Sequence, residues 1–409
     1  MDSYIHRTIE DKFLRMNKFF KVVLLTGARQ VGKTTMLKYL AKGENRTIIS
    51  LDNDEVRYLA QADPALFFQK YRPPILIDEI QKAPQLLNRI KYICDNSDLK
   101  GQIWLTGSQK FSMMKNVSES LVGRIGIMEL HSLSRSEICG YKVDEPLMFD
   151  IESLQKREQL TMPTSINDVF AHIWRGGMPQ VQTANFEERQ MYFESYINTY
   201  LMRDVMEIGR IVDTVKFMRF LVACASLTSQ QLNLAHIASI TEIAQATANN
   251  WLKLLVSLNI IYLLQPYSNN LLKRLAKTPK LYFWDTGLCS YLTKWPSSEV
   301  LLSGAANGAF FETFAVTELL RGYAYSSIVP DISYFRDSNS NEIDLFVQIQ
   351  QSIHPFEIKL SASPNKRVVK KFDVIEKSGL LRGNGGIICM CETVLPVNTM
   401  DYLIPVNLF

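Results

Sequence analysis

The eight residues Gly27-Ala28-Arg29-Gln30-Val31-Gly32-Lys33-Thr34 constrain this chain more than any others. They match G-x-x-x-x-G-K-[ST], a loop whose glycines let backbone N–H groups close around phosphate oxygens. The flanks supply the rest of the requirement. Residues 21–26 are a short apolar run of the buried-strand type, and residues 35–40 read as a helix. Strand, loop and helix start together aim amides and the positive helix end at an anion. In this reading Gly27, Ala28, Arg29, Gln30, Val31, Gly32, Lys33, Thr34 and Thr35 hold a nucleoside triphosphate. Lys33 neutralises its outer phosphates and is counted with the catalytic residues, while Thr34 offers a hydroxyl to Mg2+. ATP and Mg2+ are the expected cofactors.

A second apolar run, residues 74–78, ends in the carboxylates Asp78 and Glu79. Continuous apolar residues suit a parallel strand buried on both faces. Both acids then emerge at the carboxyl edge of the sheet, where open α/β folds bind ligands. Asp78 is placed for the metal shell, and Glu79 to orient or deprotonate the attacking water. Further runs at 46–51, 102–106 and 125–130 complete an α/β, doubly wound parallel sheet. Beyond the fourth run, Ser108 or Gln109 would sit beside the first and third strands and feel the γ-phosphate. Arg124 has two readings. It is a solvated arginine at a helix end, or a finger that reaches the nucleotide of a neighbouring subunit, which requires a homo-oligomer.

A chain of 409 residues exceeds what one core usually organises. Three parts are drawn: 1–150 as the nucleotide-binding core, 151–280 as a helical region, and 281–409 as a second α/β domain. The formal charge of +4 is too small to identify a nucleic-acid partner by itself. No run is long and apolar enough to cross a bilayer, and the N-terminus lacks a signal-type segment. Six cysteines without a C-x-x-C pair point to reduced thiols and no dedicated zinc site. The expected setting is cytoplasmic, with no membrane partner.

In the helical region, Tyr192, Phe193, Tyr196, Ile197, Tyr200 and Leu201 recur at helical spacing and read as core or interface. Two short helices, 233–240 and 245–255, followed by a strand at 260–264, suggest a winged helix-turn-helix. As a DNA reader it would turn Gln245, Thr247, Asn249 and Asn250 to the groove. Lys273, Arg274, Lys277 and Lys280 would form a phosphate-gripping wing. Lid or protein contact is the alternative use of such a module.

In the last region, 341–349 and 353–360 read as a β-hairpin turning at Gln350 and Gln351. That register sets Asp344 opposite Glu357, with Lys359 on the same face. Opposed carboxylates repel, so the pair needs a cation, a proton or a functional reason. Mg2+ on Asp344 and Glu357, with Lys359 positioning water, is the logic of a phosphodiesterase. The basic stretch 366–371 follows, as either a solvated face or a contact for a DNA backbone.

The phosphate loop, Asp78-Glu79-Ile80-Gln81, Thr106-Gly107-Ser108-Gln109 and Gly123-Arg124 resemble prokaryotic AAA-type ATPases. More narrowly, they resemble members that carry a C-terminal domain of uncharacterised function. Segments 133–138, 176–179 and 279–288 are similar to that family at matching places. The hairpin is similar to the D…E-x-K signature of restriction-endonuclease-like nucleases, and Glu312 matches the acid those enzymes add from a helix. The resemblance implies an ATPase that couples its cycle to DNA or to a partner. Two alternatives stand beside it: an ATP-regulated metal-dependent DNA nuclease, and a slow nucleotide-controlled switch that binds a protein.

Overall fold

A computed structural model describes residues 4–108, 121–143, 146–209, 211, 213–268, 278–337 and 341–409. Gln109, Lys273, Arg274 and Lys277 lie outside the described residues. By contact, the chain divides into two compact units. The first is Met1–Ser132 with Ser257–Asn259, and the second is Leu133–Val256 with Ile260–Phe409. Residues 133–150, grouped with the nucleotide-binding core on sequence, pack with the second unit, which also holds the helical region and the last domain together.

In the first unit, all five apolar runs form strands: Val22–Thr26 (β1), Thr47–Ser50 (β2), Ile75–Asp78 (β3), Ile103–Gly107 (β4) and Ile125–Glu129 (β5). They make one parallel sheet in the order β2-β3-β4-β1-β5. The three central strands, β3, β4 and β1, are almost wholly buried, which explains why they lack polar alternation. Val22, Leu24, Ile75, Ile77, Ile103 and Leu105 pack on one face against Phe67, Leu86 and Ile90. A sheet covered on both faces exposes function only at its edges, and here that is the carboxyl edge.

In the second unit, the helices Thr214–Ser226, Leu234–Ile240 and Gln245–Ser257 lead into an antiparallel ribbon of Ile261–Leu264 (β6) and Lys280–Phe283 (β7). The aromatic stripe is buried or half-buried on the helices Phe186–Ser195 and Tyr196–Leu201. Gly176 and Gly177 meet Asp285 and Gly287 in a tight knot. A Cβ on Gly176 would lie 2.4 Å from Asp285 Oδ1, and Gly177 N–H donates to Asp285 Oδ2 at 2.9 Å. Those two family-like segments are therefore held by packing.

A seven-stranded sheet closes the chain. It comprises Asp331–Arg336 (β8), Glu342–Ile349 (β9), Ser352–Ile358 (β10), Leu381–Arg382 (β11), Gly385–Cys389 (β12), Leu395–Pro396 (β13) and Asp401–Pro405 (β14). The order is β13-β14-β12-β10-β9-β8, with β11 on β10. No described helix is long and apolar enough to cross a membrane. All six cysteines are free.

Candidate functional site

The phosphate loop links β1 to the helix Lys33–Leu40, and its backbone needs glycine at two places. Gly27 has φ 141° and Gly32 has φ 95°, both in the region L-residues rarely adopt. A Cβ on Gly27 would stand 2.1 Å from the carbonyl oxygen of Leu130, next to β5. Lys33 is buried, and its ammonium donates to the Gly27 and Ala28 carbonyls at 3.0 and 2.7 Å. It lies folded back on its own loop.

Asp78 ends β3 beside Thr34, whose hydroxyl donates to Asp78 Oδ1 at 2.7 Å. The Thr106 hydroxyl donates to the same oxygen and accepts the Glu79 N–H at 3.1 Å. Thr106 stands on β4, between β1 and β3, so one buried hydroxyl ties both carboxylate positions to the neighbouring strand. Two hard oxygen donors, Thr34 and Asp78, lie side by side, and this pair fits a Mg2+ shell.

Glu79 leaves the strand with φ 61°, a left-handed turn that costs energy for a non-glycine residue. The Gln81 amide donates to the Glu79 carboxylate and to Ser108 Oγ at 3.3 Å. Ser108 is buried at the end of β4. Lys33, Thr34, Asp78, Glu79 and Ser108 are thus brought to one edge of the sheet. Thr106 and Gln81 stand in the sequence reading only inside the family-like segments 78–81 and 106–109, without a role of their own. The signal was a hydroxyl closing an otherwise apolar run, and an amide two residues past the acid.

Arg124 is not among them. Val22 pairs with Ile125 and Thr26 with Glu129, so Arg124 precedes β5 at the amino edge of the sheet. Four residues of strand, roughly 13 Å, separate that edge from the one that carries the loop. Its guanidinium is half-exposed and pairs with Asp95 at 2.5 Å. Within one subunit it is a surface ion pair.

In the second unit, the hairpin has the register drawn from sequence. Ser352 pairs with Ile349 through to Phe356 with Leu345, about a turn at Gln350 and Gln351. Asp344 and Glu357 come together, and amines fill the space around them. Lys359 Nζ lies 3.1 Å from Asp344 and 2.8 Å from Glu357. Lys371 Nζ lies 3.2 Å from the other Glu357 oxygen. Asp344 Oδ2 also accepts the Ile358 N–H at 2.8 Å.

Lys280 takes a place different from the one expected of it. It is buried rather than presented on a wing, at 2.7 Å from Glu342, 3.1 Å from Glu312 and 3.7 Å from Asp344. Glu312 projects from the helix Asn307–Tyr325 and also accepts the Tyr282 hydroxyl at 2.7 Å. A charged residue inside an apolar strand must be paired if it is buried, which was the available signal for Lys280.

The electrostatics follow from this crowding. Burial lowers the Lys280 pKa, but Glu312, Asp344 and Glu342 outweigh burial and raise it overall. Burial pushes Glu312 up to about 7, against the pull of Lys280. Burial, then Asp344, raises Glu357. Among the described residues, no three His, Cys, Asp or Glu side chains are grouped to hold a metal ion. Lys359 stands between Asp344 and Glu357, and Lys280 meets Glu312, Glu342 and Asp344, so ammonium groups face every acid of this hairpin.

On the helix Gln245–Ser257, Gln245, Asn249, Asn250 and Lys253 are exposed and Thr247 is half-buried.

Residues 19–139 match the AAA domain. Residues 166–299 and 307–409 match two domains of unknown function, DUF8612 and DUF4143. The uncharacterised proteins Mb2031c of Mycobacterium bovis and Rv2008c of Mycobacterium tuberculosis are each 28% identical over 346 residues, covering 84% of this chain and 71% of theirs. Among solved structures, the chain is similar to the Walker-type ATPase PABY2304 of Pyrococcus abyssi. That likeness has a TM-score of 0.45 at 17% identity, over 71% of this chain and 96% of the other.

Proposed function

We propose, from the premise that residues 19–139 are an AAA-type P-loop ATPase domain, that this chain hydrolyses ATP with Mg2+ and uses the cycle to change how its second unit engages DNA or a partner. The observation that carries the reading is the convergence of Lys33, Thr34, Asp78, Glu79 and Ser108 at the carboxyl edge of β1, β3 and β4. Loop amides from Gly27 to Gly32 would hold phosphate oxygens at the helix N-terminus. Lys33 would exchange its two carbonyl partners for the outer phosphates. Thr34 and Asp78 would hold Mg2+, which when bound neutralises charge building on the transferred group.

Glu79 is the residue that would orient water. Its carboxylate is held by Gln81, which also touches Ser108, so a change at Ser108 on phosphate binding has a path to the base. The exposed polar face of the helix Gln245–Ser257 supports duplex DNA as the ligand of a winged helix-turn-helix in the second unit. Arg124 acting in trans would give turnover that rises with protein concentration as subunits associate.

ATP turnover, with and without linear DNA and across protein concentrations, tests the reading. Lys33→Ala and Glu79→Gln should each lose turnover, by on the order of 10²-fold or more. Wild-type hydrolysis in both variants would end the proposal. A DNA effect absent from the wild type but with normal basal turnover would leave the ATPase and remove DNA as the ligand.

A further inference from the structure

The acidic cluster of the second unit needs a cation, and the chain supplies its own. Four carboxylates gather there: Glu312 from the helix Asn307–Tyr325, Glu342 and Asp344 from β9, and Glu357 from β10. Three ammonium groups reach them: Lys371 pairs with Glu357 alone, and two others each bridge several acids. Lys359 bridges Asp344 and Glu357, the pair a sequence pattern would assign to a metal. Lys280 meets Glu312, Glu342 and Asp344 together, at distances of 2.7 to 3.7 Å. Its side chain is only 4% exposed, so solvent cannot compete for it.

We propose that the Lys280 ammonium is the resident cation of this cluster, so that the hairpin binds no divalent metal and serves as a joint. Geometry makes the joint specific. Lys280 belongs to β7, in the ribbon that follows the helix-turn-helix, while its partners lie on the sheet and its covering helix. Backbone bonds reinforce the same connection: Tyr334 N–H of β8 donates to Gln265 O at 3.1 Å, and Tyr267 N–H donates to Tyr334 O at 2.6 Å. The Tyr334 hydroxyl donates to Thr278 O at 2.5 Å. The residues just after β6 and just before β7 are thereby fastened to β8.

A fixed ammonium suits this task for a physical reason. A buried amine that faces several carboxylates satisfies charge without the exchangeable water shell a hydrolytic metal requires. The consequence is that this part of the chain would transmit movement of the helix-turn-helix ribbon and would not cleave phosphodiesters.

The test uses the full chain carrying Asp78→Asn, which silences the cation position at the phosphate loop. Bound Mn2+ is counted by electron paramagnetic resonance without nucleotide, and plasmid cleavage is followed in the same buffer. The expected result is no stoichiometric Mn2+ and no cleavage. In the same background, Lys280→Ala is expected to gain one bound Mn2+, lost again when Glu312→Gln is added. The proposal is overturned by one Mn2+ bound with Lys280 intact and lost in Asp344→Asn. Plasmid cleavage abolished by Asp344→Asn overturns it equally. A folded Lys280→Ala chain that still binds no Mn2+ also overturns it. If Lys280→Ala does not fold, the count with Lys280 intact decides the question alone.

Discussion

Replacing Gly27 with alanine asks whether the phosphate loop works through its backbone shape. The added Cβ would stand 2.1 Å from the Leu130 carbonyl oxygen, where no Cβ settles closer than 3.0 Å. One side must give by about 0.9 Å, and that displacement is at the scale where a positioned group loses on the order of 10²-fold in rate. Leu130 cannot yield easily. It is fully buried, and its N–H donates to Thr26 O at 2.8 Å, so the carbonyl belongs to a held segment. The loop is therefore the part that moves, away from Leu130 and out of the shape its glycines set. Alanine at φ 141° adds backbone strain of about 1–3 kcal/mol. The assay is ATP turnover and binding of a fluorescent ATP analogue, with thermal unfolding to show that the sheet still forms. Gly43→Ala is the control. It too has positive φ, +86°, but no atom lies within 4 Å of its Cβ, so strain is present without displacement. Turnover should fall about 10²-fold for Gly27→Ala and remain near wild type for Gly43→Ala. A folded Gly27→Ala chain within about threefold of wild type would refute the reasoning, since no more than about 1 kcal/mol of barrier would then depend on loop placement.

Two further outcomes follow from the second unit. His172 packs edge-on against Phe314, and burial, then Arg135, Arg321 and Arg175, push its pKa down from 6.5 to about 3. A lowered folded pKa means its share of stability is present above 6.5 and is lost as pH falls toward 3. At pH 5 the loss is about 2 kcal/mol, and any folded value well below 5 gives the same figure. Denaturant unfolding at pH 7.5 and 5 should show that difference shrink in His172→Gln, and an unchanged difference would remove His172 as its source. The second outcome concerns Asp401, which is fully buried and accepts Arg382 Nη2 on both oxygens, at 2.5 and 2.6 Å. Arg382→Ala leaves a buried carboxylate whose remaining side-chain donor is Asn398, and should destabilise the second unit by about 3–5 kcal/mol in urea unfolding.

The nucleotide site was legible in the sequence because its parts are local. Gly27 to Thr34 are consecutive, and Asp78 and Glu79 close an apolar run whose direction and edge follow from parallel-strand physics. The hairpin register was legible for a related reason. Alternation along β9 and β10 sets Asp344 and Glu357 on one face and Ile343, Leu345 and Phe356 on the other, and a slip by one residue would break that separation. Thr106 and Gln81 were less visible, since their roles exist only once β4 lies between β1 and β3.

What only the tertiary structure decided is which charges meet. Lys280 read as one more cation of a basic loop, and no spacing rule links it to Glu312, Glu342 and Asp344. The ion pairing depends on β7 lying against the helix Asn307–Tyr325 and within reach of β9, and a charge selects its partner by distance and burial, not by position in the chain. The same holds for the unit boundary at Ser132 and Leu133. Local patterns determine which element forms and which face it buries. Packing determines what that face, once buried, is required to neutralise.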